Sequence, residues 1–90
     1  MVPTVSFTRA LERFLPAPST AVEGATVGAA LTAVFATRPV LRGYVLDDQG
    51  ALRRHVAVYV NGRLVKDRAA LTDPVGPQDE IYVFQALSGG

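Results

Sequence analysis

The residues best suited to chemistry stand at the end of the chain: Leu87, Ser88, Gly89 and Gly90. Glycine loses more conformational freedom on ordering than any other residue, so a pair of glycines is an unusual way to end a folded element. Such an end is thin enough to thread a narrow channel, and no side chain hinders attack on the carboxylate of Gly90. We therefore expect Gly90 to react, and Leu87, Ser88 and Gly89 to carry it into the active site of a partner protein.

Chance, or a chain cut at a linker, are the alternatives for this ending. With glycine at about 7% of residues, a diglycine end arises by chance in about one chain in 200. That rarity favours a functional ending. A folded domain that presents the tail, with a strand that runs into it, would favour it further.

Alternating apolar residues predict the strands of that domain. Val5 and Phe7 fall on one face of the first segment, and Val56, Val58 and Val60 on one face of a later segment. Asn61-Gly62 predicts a hairpin turn, because both residues tolerate positive φ. The predicted strands are residues 2–8, 18–23, 53–60, 63–66 and 80–87.

Residues 26–37 carry the clearest helical pattern. The hydroxyl of Thr26 can accept a free backbone N–H of the first turn, and Pro39 ends the helix because the residue before a proline avoids helical geometry. Residues 9–15, ended by Pro16, are interpreted as a connecting turn. One apolar stripe follows the i, i+3, i+4, i+7, i+8 spacing: Val27, Ala30, Leu31, Val34 and Phe35.

The order strand, strand, helix, strand, short strand, strand predicts an α+β domain, with one sheet packed on one main helix. A chain of 90 residues holds one such core. We expect the domain to span residues 1–86 and residues 87–90 to form a flexible diglycine tail.

The alternation also predicts an outward face on the sheet. If Val56, Val58, Val60, Ile81 and Val83 face the helix, the residues between them face away. Exposed aromatic side chains in a row favour a surface that docks a partner, although they could cover the sheet without one. Ala57 is among the outward residues, and the predicted docking residues are Phe84, Leu64, Tyr82 and Tyr59.

Composition excludes several classes of function. The chain has no cysteine and one histidine, so a thiolate nucleophile, a disulfide framework and a classical zinc site are not expected. A net charge of +1 with interspersed signs gives no case for nucleic acid or an anionic membrane. No phosphate-binding GxxxxGK[ST] loop, signal peptide or membrane-spanning run is apparent, and we expect a cytoplasmic protein.

Four other features resemble functional sites. His55 has no second histidine and is interpreted as a surface residue. Asp47-Asp48 and Asp79-Glu80 lie at predicted turns, where aspartate is favoured, rather than forming acid/base pairs. Arg53-Arg54 is interpreted as a solvated pair, with an acidic rim on a partner as the alternative.

The chain resembles the ThiS/MoaD family of prokaryotic sulfur carriers over essentially its whole length. The stretch 52–61 is more similar to the CysO-like branch that serves cysteine synthesis, and to the related carriers of natural-product pathways. The molybdopterin synthase small subunit usually has a shorter segment before the hairpin and a different sequence at 86–88. The resemblance rests on residues 2–8, 26–37, 55–62 and 79–84 and on Gly89-Gly90.

The resemblance implies the ubiquitin-like β-grasp fold and a carrier mechanism. An E1-like adenylyltransferase would use ATP to convert Gly90 to an acyl-adenylate, sulfide or a persulfide would displace AMP, and the thiocarboxylate would donate sulfur to an accepting synthase. The chain would then be a carrier substrate with no catalytic residue, no metal and no cofactor of its own. The resemblance also implies docking through Phe84 and Leu64.

Two other functions remain open. The chain could be a ubiquitin-like modifier joined to lysines through Gly90, or a β-grasp interaction module whose ending is incidental. The recipient of the sulfur is likewise open among cysteine, molybdopterin, thiamin thiazole and a sulfur-containing natural product.

Overall fold

The computed structural model describes residues 2–7 and 19–85. In these ranges one five-stranded sheet has the order β2-β1-β5-β3-β4, and two helices contribute side chains to the core on one of its faces. The elements are β1 (Thr4–Phe7), β2 (Thr20–Ala21), α1 (Val27–Thr37), α2 (Pro39–Val45), β3 (Val56–Val60), β4 (Arg63–Leu64) and β5 (Glu80–Gln85).

Strand β5 lies at the centre of the sheet. It pairs in parallel with β1, where Phe7 is opposite Val83, and antiparallel with β3, where Val58 is opposite the same Val83. Strands β2 and β4 add antiparallel edges. The predicted class, a mixed sheet packed on one main helix, is therefore confirmed.

The predicted core stripes meet between the sheet and α1. Ile81 and Val58 are fully buried, as is Val5 on the neighbouring strand. Alternation along each strand places these side chains on one face of the sheet. All the apolar residues of the predicted helix stripe are buried there too: Val27, Ala30, Leu31, Val34 and Phe35.

The start of α1 is capped as predicted. The Thr26 hydroxyl accepts the N–H of Ala29 at 3.1 Å, which satisfies one of the donors that a helix leaves unpaired in its first turn. The connection between β4 and β5 satisfies two more: its Asp73 and Leu71 carbonyls each accept a helix N–H at 2.9 Å. This second contribution was not predicted.

Asp67 organises that connection. Its carboxylate accepts the Thr72 hydroxyl at 2.6 Å and backbone N–H groups from Ala70 at 2.9 Å and Ala69 at 3.1 Å. The Thr72 hydroxyl is the main reason that the pKa of Asp67 falls to about 2, followed by the Ala70 N–H. In this loop Leu71 has a φ of 56°. Its side chain is buried, and its carbonyl accepts the N–H of Gly28 in the first turn of α1.

Helix α2 was not predicted. Only two of its residues, Leu41 and Val45, are buried in the core. Two apolar residues make too short a pattern to distinguish a helix from a loop. Pro39 does end the first helix at Thr37, but it also begins the second, because proline suits the first helical position.

The predicted strands are all present, and four of them are shorter than expected. The predicted strand 53–60 is Val56–Val60, because Arg53 closes a turn in which its carbonyl accepts the Val56 N–H at 3.0 Å. The predicted turn at 9–15 lies outside the described residues, as do the predicted strand ends at residues 8, 18, 86 and 87.

Gly24 and Gly43 make a matched pair of substitutions. A Cβ on Gly24 would lie 2.6 Å from the backbone nitrogen of Ala30, so we expect Gly24→Ala to cost about 1–3 kcal/mol. A Cβ on Gly43, inside α2, would meet nothing within 4 Å. Gly43→Ala should be neutral or stabilise by up to about 1 kcal/mol. Urea unfolding followed by circular dichroism measures both, and equal effects would contradict the close approach at Gly24.

Asp67 should make stability depend on acid pH. Its pKa is about 2 in the folded protein against an ordinary value of 3.8. Its contribution is therefore complete above about pH 4 and is lost as the pH falls from there toward 2. We expect Asp67→Asn to lower the urea midpoint at pH 7 and to reduce, without abolishing, the fall between pH 4 and pH 2. Asp48→Asn, at an exposed turn, is the control; an equal response in both variants would refute this role.

Candidate functional site

Five side chains form an outer patch on the sheet face opposite the helices. We define this outer patch as Ala57, Tyr59, Leu64, Tyr82 and Phe84. Leu64, Tyr82 and Phe84 are exposed by 56, 41 and 43% respectively, while Ala57 and Tyr59 are half-buried. All five residues occupy the outward positions that strand alternation predicts.

Strand register places these residues side by side. Tyr59 is opposite Leu64 on one side and opposite Tyr82 on the other, and Phe84 is opposite Ala57. Directly opposed residues of antiparallel strands hold their Cβ atoms about 4.5–5.5 Å apart, so the side chains can form one continuous surface. Tyr59 is half-buried because it has a large neighbour on both sides.

Sequence reasoning missed one member of this face. Ser6 of β1 is opposite Tyr82, and its hydroxyl is 2.9 Å from the hydroxyl of Ser19. Because Val5 and Phe7 are buried, alternation places Ser6 on the outward face of its strand. Alternation does not, however, reveal that β1 lies beside β5, and only that order brings Ser6 to the edge of the patch.

Two residues of the outer patch lie on β5, the last strand that the structure describes. Strand β5 carries Tyr82 and Phe84 outward and is described to Gln85. The predicted reactive and threading residues, Gly90, Gly89, Ser88 and Leu87, lie outside the described residues. Their roles, and the domain boundary after residue 86, therefore stay predictions.

Asn61 fixes the opposite end of β5. Its side-chain amide donates to Asp79 at 2.8 Å, and its side-chain oxygen accepts the N–H of Glu80 at 2.9 Å. Asn61 and Gly62 have φ of 50° and 84°, as the predicted hairpin turn requires. This side chain therefore ties the β3–β4 hairpin to the first residue of the central strand.

The Asp79 carboxylate is part of the same turn. It accepts the Gly76 N–H at 2.8 Å, and this bond, followed by the Asn61 amide, lowers the pKa of Asp79. Its hydrogen bonds favour a permanently ionised, structural carboxylate over one that exchanges protons with a substrate.

The remaining features singled out in the sequence lie in loops. Asp47 accepts backbone N–H groups from Gln49 and Ala51, and His55 is exposed in the turn before β3. Across residues 2–7 and 19–85, no group of three or more His, Asp or Glu side chains could hold a metal ion. No helix in those ranges has the length and hydropathy to cross a membrane.

Sequence comparison finds relatives of one kind. The model of the ThiS family matches residues 13–90. Small archaeal modifier protein 1 of Haloferax volcanii is 39% identical over 66 residues, which cover 73% of this chain and 71% of that protein.

Structural comparison agrees with the sequence. The H. volcanii SAMP1 crystal structure superposes with a TM-score of 0.80 at 31% identity, covering 98% of each chain. CysO in the Amycolatopsis orientalis BexX/CysO complex gives 0.83 at 26% identity, covering 99% of this chain and 100% of the other. Mycobacterium tuberculosis CysO gives 0.78 at 25% identity, covering 94% and 99%. The predicted ubiquitin-like β-grasp fold is therefore confirmed.

Neighbours on β5 should respond differently to truncation. Ile81 is fully buried, so we expect Ile81→Ala to cost about 2–5 kcal/mol of unfolding free energy. Phe84 is 43% exposed, and Phe84→Ala should cost less than about 1 kcal/mol, the value of a cross-strand contact. Urea unfolding measures both. A Phe84 loss as large as that of Ile81 would mean that Phe84 supports the fold rather than a binding surface.

Proposed function

This chain belongs to the ThiS family, and from that membership we propose that it is a sulfur carrier. Gly90 is adenylated by an E1-like enzyme, converted to a thiocarboxylate, and used by a synthase that makes cysteine, a sulfur-containing natural product, molybdopterin or thiamin. The observation that carries the proposal is that Tyr82 and Phe84 of the outer patch lie on β5, the strand that precedes the diglycine end in the sequence.

The chemistry explains why a tail of this composition is needed. A carboxylate is a poor electrophile because it is anionic and resonance-stabilised. Attack of a Gly90 oxygen on the α-phosphorus of ATP releases pyrophosphate and makes AMP the leaving group. Sulfide, or a persulfide whose S–S bond a thiol then cleaves, attacks the acyl carbon and expels AMP. The sulfur is then held on the terminus of a chain that has no cysteine.

The division of labour leaves catalysis to the partners. The activating enzyme binds ATP, and this chain acts as a carrier substrate in the cytoplasm, where ATP is available. Leu87, Ser88 and Gly89 reach into the partner's active site while Phe84 and Leu64, with Tyr82 and Tyr59, hold the domain at its entrance. The solved BexX/CysO complex supports this arrangement, since it contains a protein of this fold bound to another protein.

Protein modification is the second candidate. It is favoured by the 39% identity to a protein named small archaeal modifier protein 1. Both functions begin with the same adenylation. They differ in the nucleophile that displaces AMP, which is sulfur for a carrier and a lysine amine for a modifier.

Mass spectrometry of the chain purified from its host separates the two functions. We expect its C-terminal peptide to be heavier by the mass difference between sulfur and oxygen. Diglycine remnants on lysines of other proteins, with an unaltered C-terminal peptide, would favour the modifier instead. Deleting Gly90 should abolish either product, and a chain that keeps its activity without Gly90 would contradict both functions.

Phe84→Ala should lower the fraction of chains that carry the thiocarboxylate, because it removes an aromatic side chain from the outer patch. Val40→Ala, at an exposed position on α2, is the control and should leave that fraction unchanged.

A further inference from the structure

Three arginines gather at the end of the sheet where the tail begins. Gln85, the last described residue of β5, is opposite Val56, the first residue of β3. The turn that precedes Val56 contains Arg53 and Arg54, both exposed. A guanidinium nitrogen of Arg68 donates to the Arg53 carbonyl at 2.8 Å. We call Arg53, Arg54 and Arg68 the arginine collar.

Backbone carbonyls, rather than carboxylates, hold two members of the collar, Arg53 and Arg68. The Arg53 side chain donates to the Gly43 carbonyl at 2.7 Å, near the C-terminal end of α2, where the helix dipole favours a cation. Within residues 2–7 and 19–85, none of the three guanidinium groups forms an ion pair with an acid. Guanidinium stays charged at any physiological pH, so the collar presents net positive charge.

The opposite end of β5 has a different charge character. Glu80 begins the strand and Asp79 precedes it, with Arg63 close enough to Asp79 to favour its ionised form. A six-residue strand is about 20 Å long, and the outer patch lies between its two ends. The docking face therefore runs from a mixed, partly acidic end to a basic end, and the basic end is the one that meets the tail.

Salt limits what the collar can act on. Charges at physiological salt are screened beyond about 8 Å, so the collar acts on charges close to the end of β5 that holds Gln85. A partner surface that meets this end of the sheet is therefore what its charge can influence.

Resting on the proposed function, we propose that the arginine collar docks on an acidic rim around the tail channel of the E1-like activating enzyme. The apolar outer patch reaches the same end of the sheet through Phe84, which is opposite Ala57, and supplies contact area. The collar orients the domain so that the tail enters the channel rather than pointing away. Rim charges of this kind act chiefly on the association rate and lose their effect in salt.

Arg54→Glu tests the collar, because Arg54 is exposed and its side chain has no structural hydrogen bond in the described part of the chain. The probe is ATP–pyrophosphate exchange by the E1-like enzyme encoded in the same genome. At about 0.05 M salt we expect KM for the carrier to rise about tenfold with kcat unchanged, and at about 0.5 M salt the rise should shrink to about twofold or less. Arg54→Lys should behave nearly as the unmodified chain.

Arg42→Glu is the charge-matched control. Arg42 is exposed on α2, which packs on the sheet face opposite the outer patch, so KM should change less than about twofold at either salt concentration. Equal KM values for Arg54→Glu and Arg42→Glu would refute the docking role of the collar, and so would an Arg54→Glu effect that salt does not reduce. Either result would leave the proposed function standing. An unmodified chain that supports no exchange would overturn the proposed function and the collar with it. Circular dichroism of Arg54→Glu verifies that it is folded.

Discussion

Pairing of β5 on both sides is the constraint on which the rest of the structure depends. Val83 is opposite Phe7 on one neighbour and Val58 on the other, so the register of the strand is set twice. A slip by a single residue would exchange its buried and exposed side chains. The packing of Ile81 and Val83 in the core therefore also fixes where Tyr82 and Phe84 appear outside. The core and the outer patch are the two sides of the same pairing.

The connection between β4 and β5 joins this sheet to the main helix. Asp67 gathers N–H groups and a hydroxyl, which shapes the loop so that the Leu71 carbonyl meets the helix N-terminus. Leu71 has a left-handed φ, which is uncommon for a bulky residue. Its buried side chain and its capping carbonyl offset that cost. The Asp67 carboxylate thereby contributes to the stability of α1.

Sequence alone predicted the features that repeat. Alternation found every strand that is described and both faces of β5, and the 3.6-residue period found α1. The sequence did not predict α2, because its two core residues are too few to show a helical period. It also did not predict the half-burial of Tyr59, which depends on neighbours across the strands. The capping by Leu71 depends on a loop conformation that local residue types do not determine. The role proposed for Gly90 rests on composition and family, and the described residues stop short of it.

The central strand is also the last described element in chain order, and this affects how the fold forms. The other four described strands and both helices are synthesised before β5 can enter the sheet between β1 and β3. Contacts between distant parts of a chain form slowly, and the pairing of β1 with β5 joins residues that are more than seventy positions apart. A nascent chain that stops before residue 80 therefore has the two edge pairs of its sheet without the strand that joins them.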